Sequence, residues 1–449
     1  MPRIAVIGGV AGGMTAAARA KRRSPGSEVV VFERGRYVSY SACGMPYNIG
    51  TSERSIEELV VMTPERLRAE RGIDVRLIHE VVGIDALGHR LSVRDLATGA
   101  AADEPYDRLV IATGASPAKP PLPGVDLPGV FFLRSLEDGA LIKDHLSRAR
   151  PRRAVIIGAG YIGLEMADVF RSLGIEVVLL EKLGQIAAGY EPEIVALVEQ
   201  ELDGHAVRVE AAIGIHEIAR APGGLEVRTD RGAFSSELVL VATGVQPNVS
   251  LAVAAGVALG PTGAIAVDDH MRTSLPDIFA AGDCAEAHHL VTGAPAYIPL
   301  GTTANRQGRI AGANAAGADE RFGGIVGTAA FKVFELEVAR TGLGAAEVAS
   351  LGLDAVKVPS AHRGRARGFY GSRVVRTVLF AERTTGKLLG AQMAGDTAAK
   401  RIDVFATALH AGMSVEQIER LDLTYAPPIA PVFDPILIAA RVASKALGR

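Results

Sequence analysis

Cysteine is almost absent: the 449 residues contain only Cys43 and Cys284. Two sulfurs in a chain of this length exclude a disulfide-stapled fold, and their wide separation excludes a local two-cysteine redox pair. That usage fits a reducing compartment, and a cytoplasmic location is expected. Charge of one sign is also missing. With 48 Lys and Arg against 50 Asp and Glu, the formal net charge is -2, which leaves no electrostatic case for nucleic acid or an anionic membrane. No uninterrupted apolar run is long enough to cross a bilayer. The N-terminus has no basic segment followed by a cleavage site, so no secretory signal is expected. His288-His289 lack companion cysteines or carboxylates at ligand spacing, so no metal is expected.

What the chain does have is length and glycine. At 449 residues it exceeds one ordinary core, so two or three domains are expected. A hydrophobic fraction of 48% with 51 glycines suits an α/β protein with many tight strand-to-helix turns. Ile4-Ala5-Val6-Ile7 reads as a buried strand, Gly8-Gly9-Val10-Ala11-Gly12-Gly13 as a glycine turn, and Ala16 to Arg23 as a helix. A second strand, Val29-Val30-Val31-Phe32, ends at Glu33. Strand, glycine turn, helix, strand, acid is the order of a dinucleotide-binding unit. Glycine lets the backbone approach a pyrophosphate, the helix N-terminus favours its charge, and Glu33 is placed to accept hydrogen bonds from a ribose. Val10 stands where G-x-G-x-x-G has its middle glycine, with Gly9 beside it.

A second unit repeats the pattern without that departure. Ala154-Val155-Ile156-Ile157 leads into Gly158-Ala159-Gly160-Tyr161-Ile162-Gly163, a helix to Leu173, and a strand closing at Glu181. Glu181 repels a 2′-phosphate and suits a 2′-hydroxyl, which favours NADH over NADPH, although Lys182 beside it softens the preference. Two such units imply two dinucleotides, FAD and NAD(P)H. The runs Leu109 to Gly114 and Leu240 to Gly244 read as strands returning from an excursion, which makes the second unit an insertion. Asp283 follows the apolar run Ile278-Phe279-Ala280-Ala281-Gly282, where a carboxylate can hold flavin ribityl hydroxyls. Cys43 lies in Ser39-Tyr40-Ser41-Ala42-Cys43-Gly44-Met45-Pro46-Tyr47, just past the first unit. A lone sulfur there suggests electrons passing from a flavin to one cysteine, which cycles as a mixed disulfide or a sulfenic acid. Packing as a small buried hydrophobe is the plain alternative.

The order GGVAGG, SYSACGMPY, ATG, GAGYIG, ATG and AAGDCAE is similar to that of the FAD-dependent pyridine nucleotide–disulfide oxidoreductases, over essentially the whole chain. The single Cys43 resembles the branch containing coenzyme A disulfide reductases, NADH oxidases and NADH peroxidases. The resemblance implies an α/β fold of two Rossmann-like dinucleotide-binding domains plus a C-terminal α+β dimerisation domain. The implied bounds are 1–115 with 247–326 for FAD, 116–246 for NAD(P), and 327–449 for the interface of a homodimer. Flavin contacts are implied for Gly8, Gly9, Val10, Ala11, Gly12, Gly13, Glu33, Arg34, Ser41, Val81, Ala112, Thr113, Gly114, Arg134, Asp283 and Ala304. Nicotinamide-nucleotide contacts are implied for Gly158, Gly160, Tyr161, Ile162, Gly163, Glu181 and Gly244.

Two absences narrow the branch. Two-cysteine reductases carry a histidine–glutamate pair in the C-terminal segment, and Thr424 to Pro435 contains no histidine. Peroxidases and water-forming oxidases place a histidine in the first glycine turn, where this chain has Ala11. Both point to a thiol-disulfide substrate whose sulfur stays on Cys43. The resemblance implies coenzyme A along the first helix, with Thr15, Arg19, Arg22, Ser39, Ala42, Arg71 and Asn305 at substrate-binding positions. It implies a catalytic role for Tyr425, reaching the partner subunit's site as hydrogen-bond or proton donor to a departing thiolate. The implied activity is an NAD(P)H:CoA-disulfide reductase: hydride passes through FAD to a Cys43–CoA mixed disulfide, reducing CoA disulfide, persulfide or polysulfide. An NADH oxidase or peroxidase, using a Cys43 sulfenate or flavin–oxygen chemistry, is the alternative. Exchange needs a thiolate, so Cys43 is expected to titrate low, at roughly 3.5–7.5. The arginine-rich run His362 to Arg367 departs from the family and reads as a solvated loop, with Tyr370 as counterpart of an upstream family tyrosine. Cys284 is expected to pack beside the Asp283 strand.

Overall fold

Ile4, Ala5 and Val6 are fully buried, as are Val30 and Val31 and the run Leu109 to Ile111. Near-continuous apolar strands of this kind belong in a parallel sheet covered on both faces, and a computed structural model, which describes residues 1–449, assembles them so. The strand order is Ile278–Ala280, Arg108–Ile111, Arg3–Ile7, Glu28–Glu33 and Asp74–Leu77, all parallel. This sheet therefore takes its edge strand from residues that lie after a whole second sheet in the chain. The second sheet runs Val207–Glu210, Glu176–Leu180, Arg153–Ile157, Leu238–Val241 and Val130–Phe131, again all parallel. Two short antiparallel strands, Ala115–Pro117 and Val245–Pro247, pair where the chain passes out to the second sheet and back.

Each parallel sheet carries an antiparallel meander, His79–Asp85 to Ala101–Pro105 on the first and Ile215–Ala221 to Gly232–Ser236 on the second. The last body is a five-stranded antiparallel sheet ordered Ala329–Val333, Leu336–Gly342, Leu388–Ala394, Val374–Glu382 and Ala355–Arg363. Helices Ala398–Ala411 and Pro435–Ala446 pack against that sheet through Ile402, Phe405, Ile436 and Ala440. The mixed α/β fold of two dinucleotide-type sheets and a C-terminal α+β body agrees with the expected fold class.

One crossing fixes the floor of the first sheet's ligand side. Helix Ala11–Arg23 crosses helix Gly301–Ala315 at glycine. A Cβ on Gly308 would lie 2.2 Å from the carbonyl oxygen of Gly12, so only glycine lets the backbones approach this closely. No helix is long and apolar enough to cross a membrane.

Candidate active site

Both glycine turns are built alike. Gly8 has φ +103° and Gly158 has φ +104°. A side chain at Gly8 would stand 2.2 Å from the Ala112 carbonyl oxygen, and one at Gly158 2.4 Å from that of Ala242. Each turn is then clasped by its acid. Glu33 accepts from the Gly9 N–H at 2.6 Å and the Gly35 N–H at 2.7 Å. Glu181 accepts from the Ala159 N–H at 2.8 Å and the Leu183 N–H at 2.8 Å. The two carboxylates expected to face ribose thus also brace the turns. Burial outweighs these bonds at Glu33 and moves its carboxyl above the ordinary value. The shape fits dinucleotides: bare backbone at each turn, and an acid at the end of the following strand.

A single cavity of about 1790 Å³ reaches both turns. Of the expected flavin residues, its wall includes Gly8 to Gly12, Glu33, Arg34, Val81, Ala112 to Gly114, Arg134, Asp283 and Ala304. Of the expected nicotinamide residues it includes Gly158, Gly160, Tyr161, Ile162, Glu181 and Gly244. Gly13 and Gly163 lie buried behind the turns, and Ser41 is exposed next to the Cys43 segment. Ala42 and Cys43 are on the same wall, in a single 3₁₀ turn, Ala42–Gly44, that feeds the short helix Met45–Ile49. Cys43 is open to the cavity, while Cys284 is fully buried, its thiol against the carbonyls of Ile111 and Ala281 at 3.5 Å.

The expected substrate positions are only partly gathered. Thr15 Oγ1 donates to Asn305 Oδ1 at 2.6 Å, joining the first helix to helix Gly301–Ala315. Ser39 has φ +51° and its N–H donates to the Gly9 carbonyl at 2.8 Å, which fixes the loop leading to Cys43. Arg22 and Arg71 are exposed. Arg19 is already engaged in an ion pair with Glu320, so it does not stand free beside Arg22 on the helix face. Tyr425 lies outside the large cavity, half-exposed in a separate depression of about 580 Å³ with Arg363, Arg365, Arg367 and Phe433. The arginine-rich run is therefore not a free loop but one wall of the Tyr425 depression. Arg363 ends the strand Ala355–Arg363, and Arg365 pairs with Asp396 at 3.0 Å. Tyr370 is 88% exposed and stacks only on Phe369.

The groups around Cys43 do not supply the expected acidity. Burial pushes the Cys43 thiol above its usual value, the carboxylates of Glu165 and Asp283 push the same way, and only Arg134 opposes them. Arg134 Nη2 lies 2.6 Å from Asp283 Oδ2, so the one nearby cation is already neutralised.

Residues 2–316 match the pyridine nucleotide-disulphide oxidoreductase family, and residues 328–435 match the dimerisation domain of that family. The chain belongs to this family. It is 36% identical to an NAD(P)H coenzyme A polysulfide/persulfide reductase of Pyrococcus horikoshii, over 98% of each chain. It is 33% identical to an NADH oxidase of Methanocaldococcus jannaschii, over 99% of each. The solved structure of an NAD-dependent persulfide reductase from A. fulgidus superposes with a TM-score of 0.96 at 37% identity, covering 99% of this chain and 84% of that one.

Two cavity residues of this oxidoreductase escaped the sequence reading. Tyr47 donates its hydroxyl proton to Glu165 Oε1 at 3.1 Å, joining the helix after Cys43 to the second fingerprint helix, Tyr161–Ser172. The available signal was position: Glu165 stands two residues past Gly163, on the helix that starts at the fingerprint. Arg340, which pairs with Glu347 at 2.6 Å, adds a wall from the dimerisation domain.

Proposed function

We propose that this oxidoreductase is an FAD-dependent NAD(P)H:CoA-disulfide reductase that acts through a mixed disulfide on Cys43, with CoA disulfide, CoA persulfide or polysulfide as acceptor. One observation carries the reading: Cys43 is the sole thiol on a cavity that runs from one dinucleotide turn to the other. With Cys284 sealed in the core, no resolving cysteine stands within reach, so the partner sulfur has to come from the substrate. The proposed division places residues 1–115 with 247–326 around FAD and 116–246 around NAD(P), and sheet membership supports it.

A flavin held along the first turn by Gly8 to Gly12, Glu33, Arg134 and Asp283 would supply the two-electron relay between reduced nicotinamide and the Cys43–CoA disulfide. The chain's own residues do the rest. The glycine turns seat the two pyrophosphates, and Glu33 and Glu181 hold those turns in shape. Cys43 thiolate attacks one sulfur of the acceptor, a new S–S bond forms to Cys43, and the other sulfur leaves as thiolate. Residues 327–449 supply the proposed homodimer interface. There Tyr425, half-exposed and outside its own subunit's cavity, is free to serve the site of the partner as proton donor. A cytoplasmic location is proposed from the two reduced cysteines.

Intact-mass spectrometry of the oxidised protein tests this directly. The expected result is a coenzyme A adduct on Cys43 that NADH discharges, and loss of NADH-dependent CoA-disulfide reduction in Cys43→Ser. The second reading, an NADH oxidase, is favoured by the Methanocaldococcus relative but not by Ala11, which leaves the first turn without a histidine. Oxygen or peroxide outpacing every CoA-linked acceptor would establish it instead.

A further inference from the structure

Glu165 faces the cavity that holds Cys43 and forms no ion pair; the Tyr47 hydroxyl is its one side-chain hydrogen-bond partner. Tyr47 sits on Met45–Ile49, the helix that begins two residues after Cys43. One hydrogen bond therefore spans from the sulfur-bearing segment to the helix that opens the nicotinamide fingerprint. On its own helix Glu165 has Asp168 one turn on, whose Oδ2 is taken by the Phe334 N–H at 2.9 Å. Burial raises the Glu165 carboxyl, the Tyr47 bond works against this, Asp168 adds to it, and the result is about 7. Tyr47 in turn is pushed up to about 12, by burial first and then by Glu165, so it remains a hydrogen-bond donor throughout the neutral range. Facing Cys43 are Glu165, Asp283 and the neutralised Arg134, and after burial the Glu165 charge is the largest influence on the thiol.

We propose that Glu165 is a positioning residue whose charge, tied through Tyr47 to the segment that carries Cys43, sets the ionisation of that thiol. Because Glu165 rides on the nucleotide-fingerprint helix, a nucleotide laid on the Gly158 turn buries it further and favours its neutral form. Nucleotide binding thereby favours the thiolate before chemistry begins. The role in CoA chemistry rests on the function proposed above; the electrostatic coupling does not.

Alkylation of Cys43 by iodoacetamide in the reduced flavoprotein, followed from pH 5.5 to 9.5, tests the coupling, since buried Cys284 is shielded. Glu165→Gln is expected to speed alkylation at pH 7.5 about tenfold, equivalent to one unit in the thiol pKa, and Glu165→Asp to restore the slow rate. Tyr47→Phe, which removes a bond that favours the charged carboxyl, is expected to move the rate the same way. NADH in anaerobic excess, whose nicotinamide ring carries no charge, is expected to accelerate the wild type and to lose that effect in Glu165→Gln. Unchanged alkylation profiles in both Glu165→Gln and Tyr47→Phe, each with an intact flavin spectrum, overturn the proposal. Failure of the wild type to reduce CoA disulfide, CoA persulfide and polysulfide alike would sink the proposed function alone, because alkylation needs no CoA.

Discussion

Arg134 and Asp283 form an ion pair at 2.6 Å on the wall of the large cavity, the arginine donating also to the Ala115 carbonyl at 3.0 Å. This places a neutral pair, not a free cation, beside the reactive sulfur. Burial and the carboxylates of Glu165 and Asp283 hold the Cys43 thiol above its usual value, and activation calls for a change in those surroundings. Glu165 is the group able to change.

Its titration is visible in stability as well as reactivity. The folded carboxyl binds its proton up to about pH 7, whereas an unfolded glutamate loses it near 4.3. Between those values the folded state holds more protons, so the contribution of Glu165 is complete below the unfolded value and is lost as pH rises through about 7. Glu165→Gln lacks this penalty. Its thermal midpoint is expected to match the wild type at pH 4 and to exceed it at pH 8, by an amount equivalent to about 2 kcal/mol after allowance for partial exposure.

The second acid clasp makes a prediction about nucleotide choice. Glu181 holds Ala159 and Leu183 N–H groups, so its charge is fixed at the end of the strand that follows the turn. Wild type is expected to prefer NADH. Glu181→Gln keeps one acceptor but removes the charge, and the NADH:NADPH ratio of kcat/KM is expected to fall about tenfold, or about 1.4 kcal/mol. Steady-state kinetics with both nucleotides checks this.

Much of this was legible because the two dinucleotide units depend on local rules. The Gly8 and Gly158 turns, the closing acids and the apolar strands are each written within some thirty residues, and the sheets follow from them. What was not legible depended on pairs far apart in the chain. Arg19 looked like a free anion ligand because nothing near it in sequence shows Glu320, 301 positions away. Glu165 was passed over because its meaning comes from Tyr47, 118 residues earlier. The surroundings of the Cys43 thiol were hidden for the same reason: they are set by burial and then by Glu165, Asp283 and Arg134, which only the fold brings together.

A buried pair anchors the Tyr425 segment. Arg401 and Asp434 are each 8% exposed at the side chain and lie 3.0 Å apart. Arg401 also donates to the Gly364 carbonyl at 2.7 Å, while Asp434 caps the last helix through the Ile436 N–H at 3.0 Å. Asp434→Ala strands a buried guanidinium and uncaps that helix, and a loss of about 3–5 kcal/mol is expected. The thermal midpoint, measured by calorimetry, is expected to fall accordingly.

The position of Tyr425 outside the cavity of its own subunit sets the last test. If the tyrosine serves the partner's Cys43, each site needs one residue from each chain. Tyr425→Phe alone is expected to lower kcat by about 10²-fold, the scale of a lost proton donor. Cys43→Ser alone is inactive. Mixed and reassociated, these two variants form heterodimers in which one site lacks both residues and the other has both intact. Half of the wild-type rate per heterodimer is therefore expected. Mixtures with no more activity than the Tyr425→Phe protein alone would show that the tyrosine does not serve the partner's Cys43, and an undiminished rate in Tyr425→Phe would place it outside the reaction.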